Sequence, residues 1–173
     1  MIVDSSSLII FGKLNKVNFL LRLFNEIEIT DGVCNEAILE GLEKKFEDSF
    51  ILKGYLDKSL IKVVKLNDKY SKLSEKIQHL HNIGVGEAQT IALAKQINRK
   101  ELIIDETLAR EAAKSFGLKP FGSLRILFLA YKRNILDEKE VEELINKMIK
   151  LKFRISAATL IRFWELFEKI KKK

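Results

Sequence analysis

The sequence predicts an α/β fold in which a parallel sheet is covered by helices on both faces. Three observations predict it. Short apolar runs of strand length alternate with longer segments whose apolar residues recur at helical spacing. Strands separated by helices connect as right-handed crossovers, which place helices on either side of one sheet. The 173 residues contain one Pro and no Gly/Ser-rich linker, repeat or low-complexity run, so the chain reads as a single domain over 1–173.

Met1-Ile2-Val3 reads as a short buried strand, ended by Asp4 and three serines. Apolar residues then recur at helical spacing through Leu8, Ile9 and Phe11, and again through Phe19, Leu20, Leu23 and Phe24. Glu26 to Ile29 is the second strand, and Thr30 or Asp31 caps a helix running to about Lys45. A helix over Phe46 to Leu60 leads to a strand at Ile61 to Leu66, and residues 68–81 are helical. Gly84 and Gly86 punctuate before a helix from Glu87 to Ile97. Glu101 to Ile104 is the clearest strand, closed by Asp105 and followed by a helix that stops at Gly117. Lys119 to Phe121 supplies a short fifth strand, giving four or five in all, and Gly122 opens a helix through Arg133. Two basic helices close the chain over about 137–173. Asp137 with Glu140 begins the first as a capping box, and Ser156 caps the second.

Composition excludes several classes. Hydrophobic residues make up 47% and charged residues 32%, which is a globular balance. Cys34 is the one cysteine, so neither a disulfide framework nor a CxxC zinc site exists. The longest run without Lys, Arg, Asp or Glu spans 77–86, far short of the roughly 20 residues of a membrane span. The opening residues show no export signal, and the cytoplasm is the expected compartment. The net charge of +7 is concentrated: residues 147–173 hold nine Lys/Arg against two Asp/Glu, and 1–146 are neutral. Such a tail steers polyanions. Its ordinary role is a solvated helix end, where Lys171, Lys172 and Lys173 complement the helix dipole.

The functional signal lies in the acids. Ligands of open parallel sheets bind beyond the carboxyl ends of the strands, where Asp4 and Asp105 stand. Taken singly, each aspartate is a helix cap, Glu87 is a favourable first-turn charge, and Glu36 with Glu40 is a solvated helix face. Taken together, two strand-end aspartates and a glutamate opening a helix would converge on one crevice. Their repulsion is relieved by a divalent cation with hard oxygen ligands, Mg²⁺ or Mn²⁺, which activates water against a phosphodiester.

Several blocks carry a family resemblance. Val3-Asp4-Ser5-Ser6-Ser7-Leu8-Ile9 resembles the D-x-S-x-L opening of PIN-domain proteins. Gly86-Glu87-Ala88 with Ile91-Ala92-Leu93-Ala94 resembles the GEA…IALA block of a prokaryotic subgroup. Ile104-Asp105-Glu106 with Ala109-Arg110 resembles its D-[DE]-x-x-A-R block, Gly122-Ser123-Leu124 its G-[TS]-L turn, and Val33-Cys34-Asn35-Glu36 its V-x-x-E helix. The resemblance, in the right order from residue 3 to about 127, implies an α/β/α sandwich and a metal-dependent ribonuclease acting on RNA. It implies Asp4, Glu87 and Asp105 as metal ligands, Glu36 as a further catalytic acid, and Ser6, Glu106 and Arg110 in support. Family members often have Pro where Ser7 stands and Gly where Arg125 stands. Many of this size are similar to toxins silenced by an antitoxin, so an antitoxin and a second copy of the chain are the protein partners it implies.

Other features carry less. His79 and His81 point to different helix faces and do not suit one metal ion. Gly84-x-Gly86 lacks the strand and third glycine of a dinucleotide fingerprint. Cys34 reads as a packed thiol, and Phe163, Trp164 and Phe167 as core. Abundant Lys with three Gln fits either a thermophile or AT-rich codon usage. The competing function is a non-catalytic module that binds nucleic acid or a partner through its last two helices, a helix-turn-helix-like pair.

Overall fold

A computed structural model of the protein describes residues 1–171. Lys172, Lys173 and the Lys171 side chain, and with them the dipole role expected of these lysines, lie outside the described residues. The chain divides into two compact units, Met1–Ser123 and Leu124–Lys173.

The first unit is built on five strands: β1 (Ile2–Val3), β2 (Ile27–Ile29), β3 (Ile61–Val63), β4 (Glu101–Ile103) and β5 (Lys119–Phe121). They form one sheet in the order β3-β2-β1-β4-β5, and every pairing is parallel. β1 is central, with Ile2 beside both Glu28 and Leu102. Pro120 sits on edge strand β5, where a missing ladder donor costs least. The chain builds outward through β2 and β3, then crosses back to lay β4 on the other side of β1. Strand direction of growth therefore reverses between β1 and β4, and a crevice opens at their carboxyl ends.

Helices α1 (Ser5–Lys13), α2 (Val17–Phe24), α5 (Glu47–Asp57), α6 (Asp68–His81), α7 (Val85–Gln96) and α8 (Thr107–Ser115) join the strands. On one face Ile2, Leu102 and Ile104 pack with Ile77 of α6, Ile91 and Ala94 of α7, and Ala109, Ala112 and Ala113 of α8. The small residues of α7 and α8 let these helices lie close to the sheet. The pleat turns Val3 and Ile103 to the opposite face, where they are equally buried. There α2 packs with β2, α5 with β3, and α1 with both helices. This is the α/β/α sandwich.

Three departures from the sequence expectation exceed a shift of one or two residues or bear on the site. β3 ends at Val63, before Leu66. α7 begins at Val85, because Gly84 is its extended N-cap and Gly86 already lies in the first turn. The helix capped by Thr30 is interrupted: α3 (Asp31–Cys34) passes through a π turn (Asn35–Leu39) into α4 (Glu40–Glu43). A π turn shifts side chains off the i, i+4 register. Asn35 accordingly reaches Glu40 five residues on, and Glu40 also pairs with Lys44. Glu36 and Glu40 meet different partners, Ser5 for the first and Asn35 and Lys44 for the second.

Gly117 ends α8 with a left-handed backbone, φ +73°, in open space. Gly117→Ala is expected to cost about 1–2 kcal/mol through this conformation alone, measured as a lower urea midpoint with an unchanged slope.

In the second unit, α9 (Ser123–Lys132, its first residue belonging to the first unit), α10 (Glu138–Lys150) and α11 (Ala157–Lys171) carry the chain to its end. Asp137 and Glu140 form a full capping box, and the Ser156 hydroxyl accepts the Thr159 N–H at the start of α11. Phe163 and Phe167 are buried, Phe167 stacking 4.2 Å from Tyr131, and are core, whereas Trp164 is half-buried at their edge. Among the described residues, no helix is long and apolar enough to cross a membrane.

Candidate active site

Asp4 follows β1 directly, and Asp105 stands two residues beyond β4. Both are held at the bottom of the crevice where strand growth reverses. Asp4 is completely buried. Its Oδ1 accepts the Ser7 N–H at 2.9 Å, capping α1, and its Oδ2 accepts the Ser6 hydroxyl at 2.9 Å. The Asp105 N–H also points at Asp4 Oδ2, 3.4 Å away. Asp105 does not cap the helix that follows it, α8. Its Oδ1 instead accepts the Ser123 N–H at 2.8 Å, and its Oδ2 accepts the hydroxyls of Ser123 at 2.5 Å and Ser7 at 2.7 Å. Both aspartates thus satisfy helix starts and also face each other.

The glutamates arrive from two more elements. Glu87, in the first turn of α7, reaches back to the Gly84 backbone and lies within hydrogen-bonding reach of Glu106. Glu36, on the π turn, accepts the Ser5 hydroxyl at 2.6 Å. A Cβ on Gly86 would stand 2.6 Å from Glu36 Oε2, and one on Gly122 would stand 2.7 Å from Asp105 Oδ1. Each glycine leaves the space that its neighbouring carboxylate fills. Arg110 of α8 places its guanidinium beside Gly122 and Asp105.

The electrostatics follow from this crowding. Burial, and then the Asp105 charge, pushes Asp4 up to about 7 against the opposing hydrogen bonds from Ser7 and Ser6. Burial, then the Glu106 hydrogen bond and charge, then Asp4, push Glu87 up to about 7. Asp105 is raised by burial and pulled back by Ser123, Ser7 and Arg110. Carboxylates that resist ionising together mark a candidate functional site.

A family model described as a PIN domain matches residues 1–169. The chain belongs to the PIN-domain family. No curated protein is similar enough to the chain to count as a match. The match runs through both compact units of this PIN domain.

PIN domains generally use divalent metal ions, and the donor set here fits one: the crevice offers hard carboxylate oxygens, two of them on groups destabilised as anions. Among the described residues, no three His, Cys, Asp or Glu side chains converge as a ready metal group. Serine hydroxyls donate to carboxylate oxygens of Glu36 and Asp105.

Asp4, Glu87, Asp105 and Glu106 share one electrostatic neighbourhood, Ser6 and Arg110 flank it, and Glu36 joins through Ser5 and Gly86. Sequence reasoning missed Ser5, Ser7 and Ser123 as carboxylate partners. The available signal was three consecutive serines, poor helix formers, opening a helix after a strand-end acid. The set-aside residues lie elsewhere: His81 sets its ring edge against Phe116, His79 is exposed, and Cys34 is buried, which raises its thiol pKa.

The glycine pocket of Glu36 gives a prediction with opposed signs. Gly86→Ala in this PIN domain displaces the end of a flexible side chain, while alanine suits helix α7 better by about 1 kcal/mol. Thermal melting is expected to stay level or rise, while metal-dependent cleavage falls by about ten-fold or more. An unchanged rate would show that the Glu36 position does not matter.

Proposed function

We propose that the chain is a Mg²⁺- or Mn²⁺-dependent endoribonuclease that hydrolyses RNA phosphodiester bonds. At the coarser level the family already speaks: PIN domains are generally nucleases. The observation that carries the finer reading is the fully buried Asp4 meeting the half-buried Asp105 at the ends of β1 and β4, with Glu87 beside them.

In this reading Asp4, Asp105 and Glu87 hold the ion, and Glu36 completes the acidic cluster. A bound divalent ion lowers the pKa of its water and offsets charge on the phosphate. The chain's own groups prepare the rest. Ser6 and Ser7 fix Asp4, and Ser7 with Ser123 fixes Asp105, so both carboxylates are oriented before substrate arrives. Glu87, pushed up to about 7 without the ion, would give up its proton to serve as a ligand. Arg110 adds positive charge beside Asp105. Lys and Arg of the C-terminal region attract the polyanion.

The protein partners of this reading are an antitoxin that covers the crevice, which would make the chain the toxin of such a module, and a second copy of the chain. The test is Mn²⁺-dependent cleavage of a mixed single-stranded RNA pool by the wild type beside Asp4→Asn purified identically. Cleavage by the wild type alone supports the reading. Equal cleavage by both overturns it.

A further inference from the structure

Ser7 is fully buried in the first turn of α1, and it is the residue through which one short segment touches both strand-end acids. Its N–H donates to Asp4 Oδ1 at 2.9 Å, and its hydroxyl donates to Asp105 Oδ2 at 2.7 Å. The neighbouring hydroxyls divide the work differently. Ser6 donates to Asp4, Ser123 donates to Asp105, and Ser5 turns to Glu36. Asp4 and Asp105 lie 101 positions apart in the sequence, and a single weak backbone contact of 3.4 Å otherwise runs from one to the carboxylate of the other.

A carboxylate torsion is broad and two-fold, so the orientation of an aspartate is set by the donors it meets. A donor shared between two carboxylates sets their separation as well. Because the hydroxyl is buried, no water can replace it without opening the base of the crevice.

We infer that Ser7 is a positioning residue, a built-in tie that holds Asp4 and Asp105 at the spacing needed to share one divalent cation. This rests on the nuclease reading above, through the assignment of those two acids as ligands. Ser7 does not touch the ion or the RNA; it acts through the carboxylates. Partners of metal ligands of this kind are worth about 10–100-fold in affinity or activity.

The experiment is calorimetric titration of Mn²⁺ into the full chain, comparing wild type, Ser7→Ala, Ser7→Thr and Asp4→Asn. Ser7→Ala removes the hydroxyl but keeps the N–H cap on Asp4, and it is expected to bind Mn²⁺ about ten-fold more weakly or worse. Ser7→Thr keeps the donor and is expected to stay within about three-fold of wild type, since the hydrogen bond is retained. A purely structural role would lower the binding stoichiometry by reducing the folded fraction and leave the affinity of the folded molecules unchanged. That result overturns the proposal. So does an unchanged or tighter affinity in Ser7→Ala while Asp4→Asn loses binding, which leaves the nuclease reading standing. If the wild type binds no more tightly than Asp4→Asn, the nuclease reading itself fails, and the role of Ser7 fails with it.

Discussion

Asp4→Asn is expected to reduce Mn²⁺-dependent RNA cleavage by at least about 100-fold while making the metal-free protein more stable at about pH 8. The two effects have one cause. Asp4 is completely buried and faces Asp105, so ionising both costs folding free energy. Asparagine removes one of the two charges and keeps an oxygen for the Ser7 N–H, so the cap on α1 survives. The Ser6 hydroxyl is free to rotate toward the new amide. A rise of about 2–4 °C in melting temperature per kcal/mol is the scale for a chain of this size. Differential scanning calorimetry at about pH 8 reads the stability, and gel analysis of RNA fragments reads the cleavage. A lower melting temperature would mean that the hydrogen bonds lost at Oδ2 outweigh the relieved repulsion. Unchanged cleavage would remove Asp4 from the chemistry.

Without metal, the wild type is expected to lose stability relative to Asp4→Asn as the pH rises from about 4 to about 7. The sign follows from the raised carboxyls. Asp4 moves from 3.8 to about 7 and Glu87 from 4.5 to about 7 on folding. Between those limits the folded state holds protons that the unfolded chain has released, so lowering the pH favours folding. The contribution is fully present below the unfolded values and is gone above about 7. Other carboxylates impose their own acid limit, which is why the difference from Asp4→Asn is the informative quantity. Added Mn²⁺ is expected to reverse the loss above about pH 7, where the acids bind it without competing protons. At a free concentration of a hundred times its Kd, a ligand bound only by the folded state adds about 2.7 kcal/mol. Thermal melts across this range, with Mn²⁺ or with EDTA, check both statements. A difference curve that is flat with pH would show that Asp4 ionises freely. An absence of Mn²⁺ stabilisation would show that the crevice does not hold the ion.

Much of this site could be read along the chain. The strand-end positions of Asp4 and Asp105, and the first-turn position of Glu87, follow from local patterns: an apolar run, a stop, then helical spacing. The capping box and the stop at Gly117 are equally local, because they depend on residues within one turn of each other. The π turn was not legible. Nothing in Asn35–Leu39 marks an extra residue in the turn, on which Glu36 meets Ser5 and Asn35 meets Glu40.

By itself, then, the sequence determined an alternating α/β chain with acids waiting at strand ends and glycines beside them. The tertiary structure alone decided that β4 returns to the free side of β1, making these two aspartates neighbours across a gap of 101 residues. Strands of two or three residues carry no local code for their partners, since pairing depends on how the intervening helices pack on the sheet. The same holds for the three serines after Asp4. Their order in the chain is plain, but which carboxylate each one meets depends on where Glu36, Asp105 and Ser123 arrive from distant parts of the fold. Local spacing sets the directions in which side chains leave a helix turn. Only long-range packing supplies what they find there.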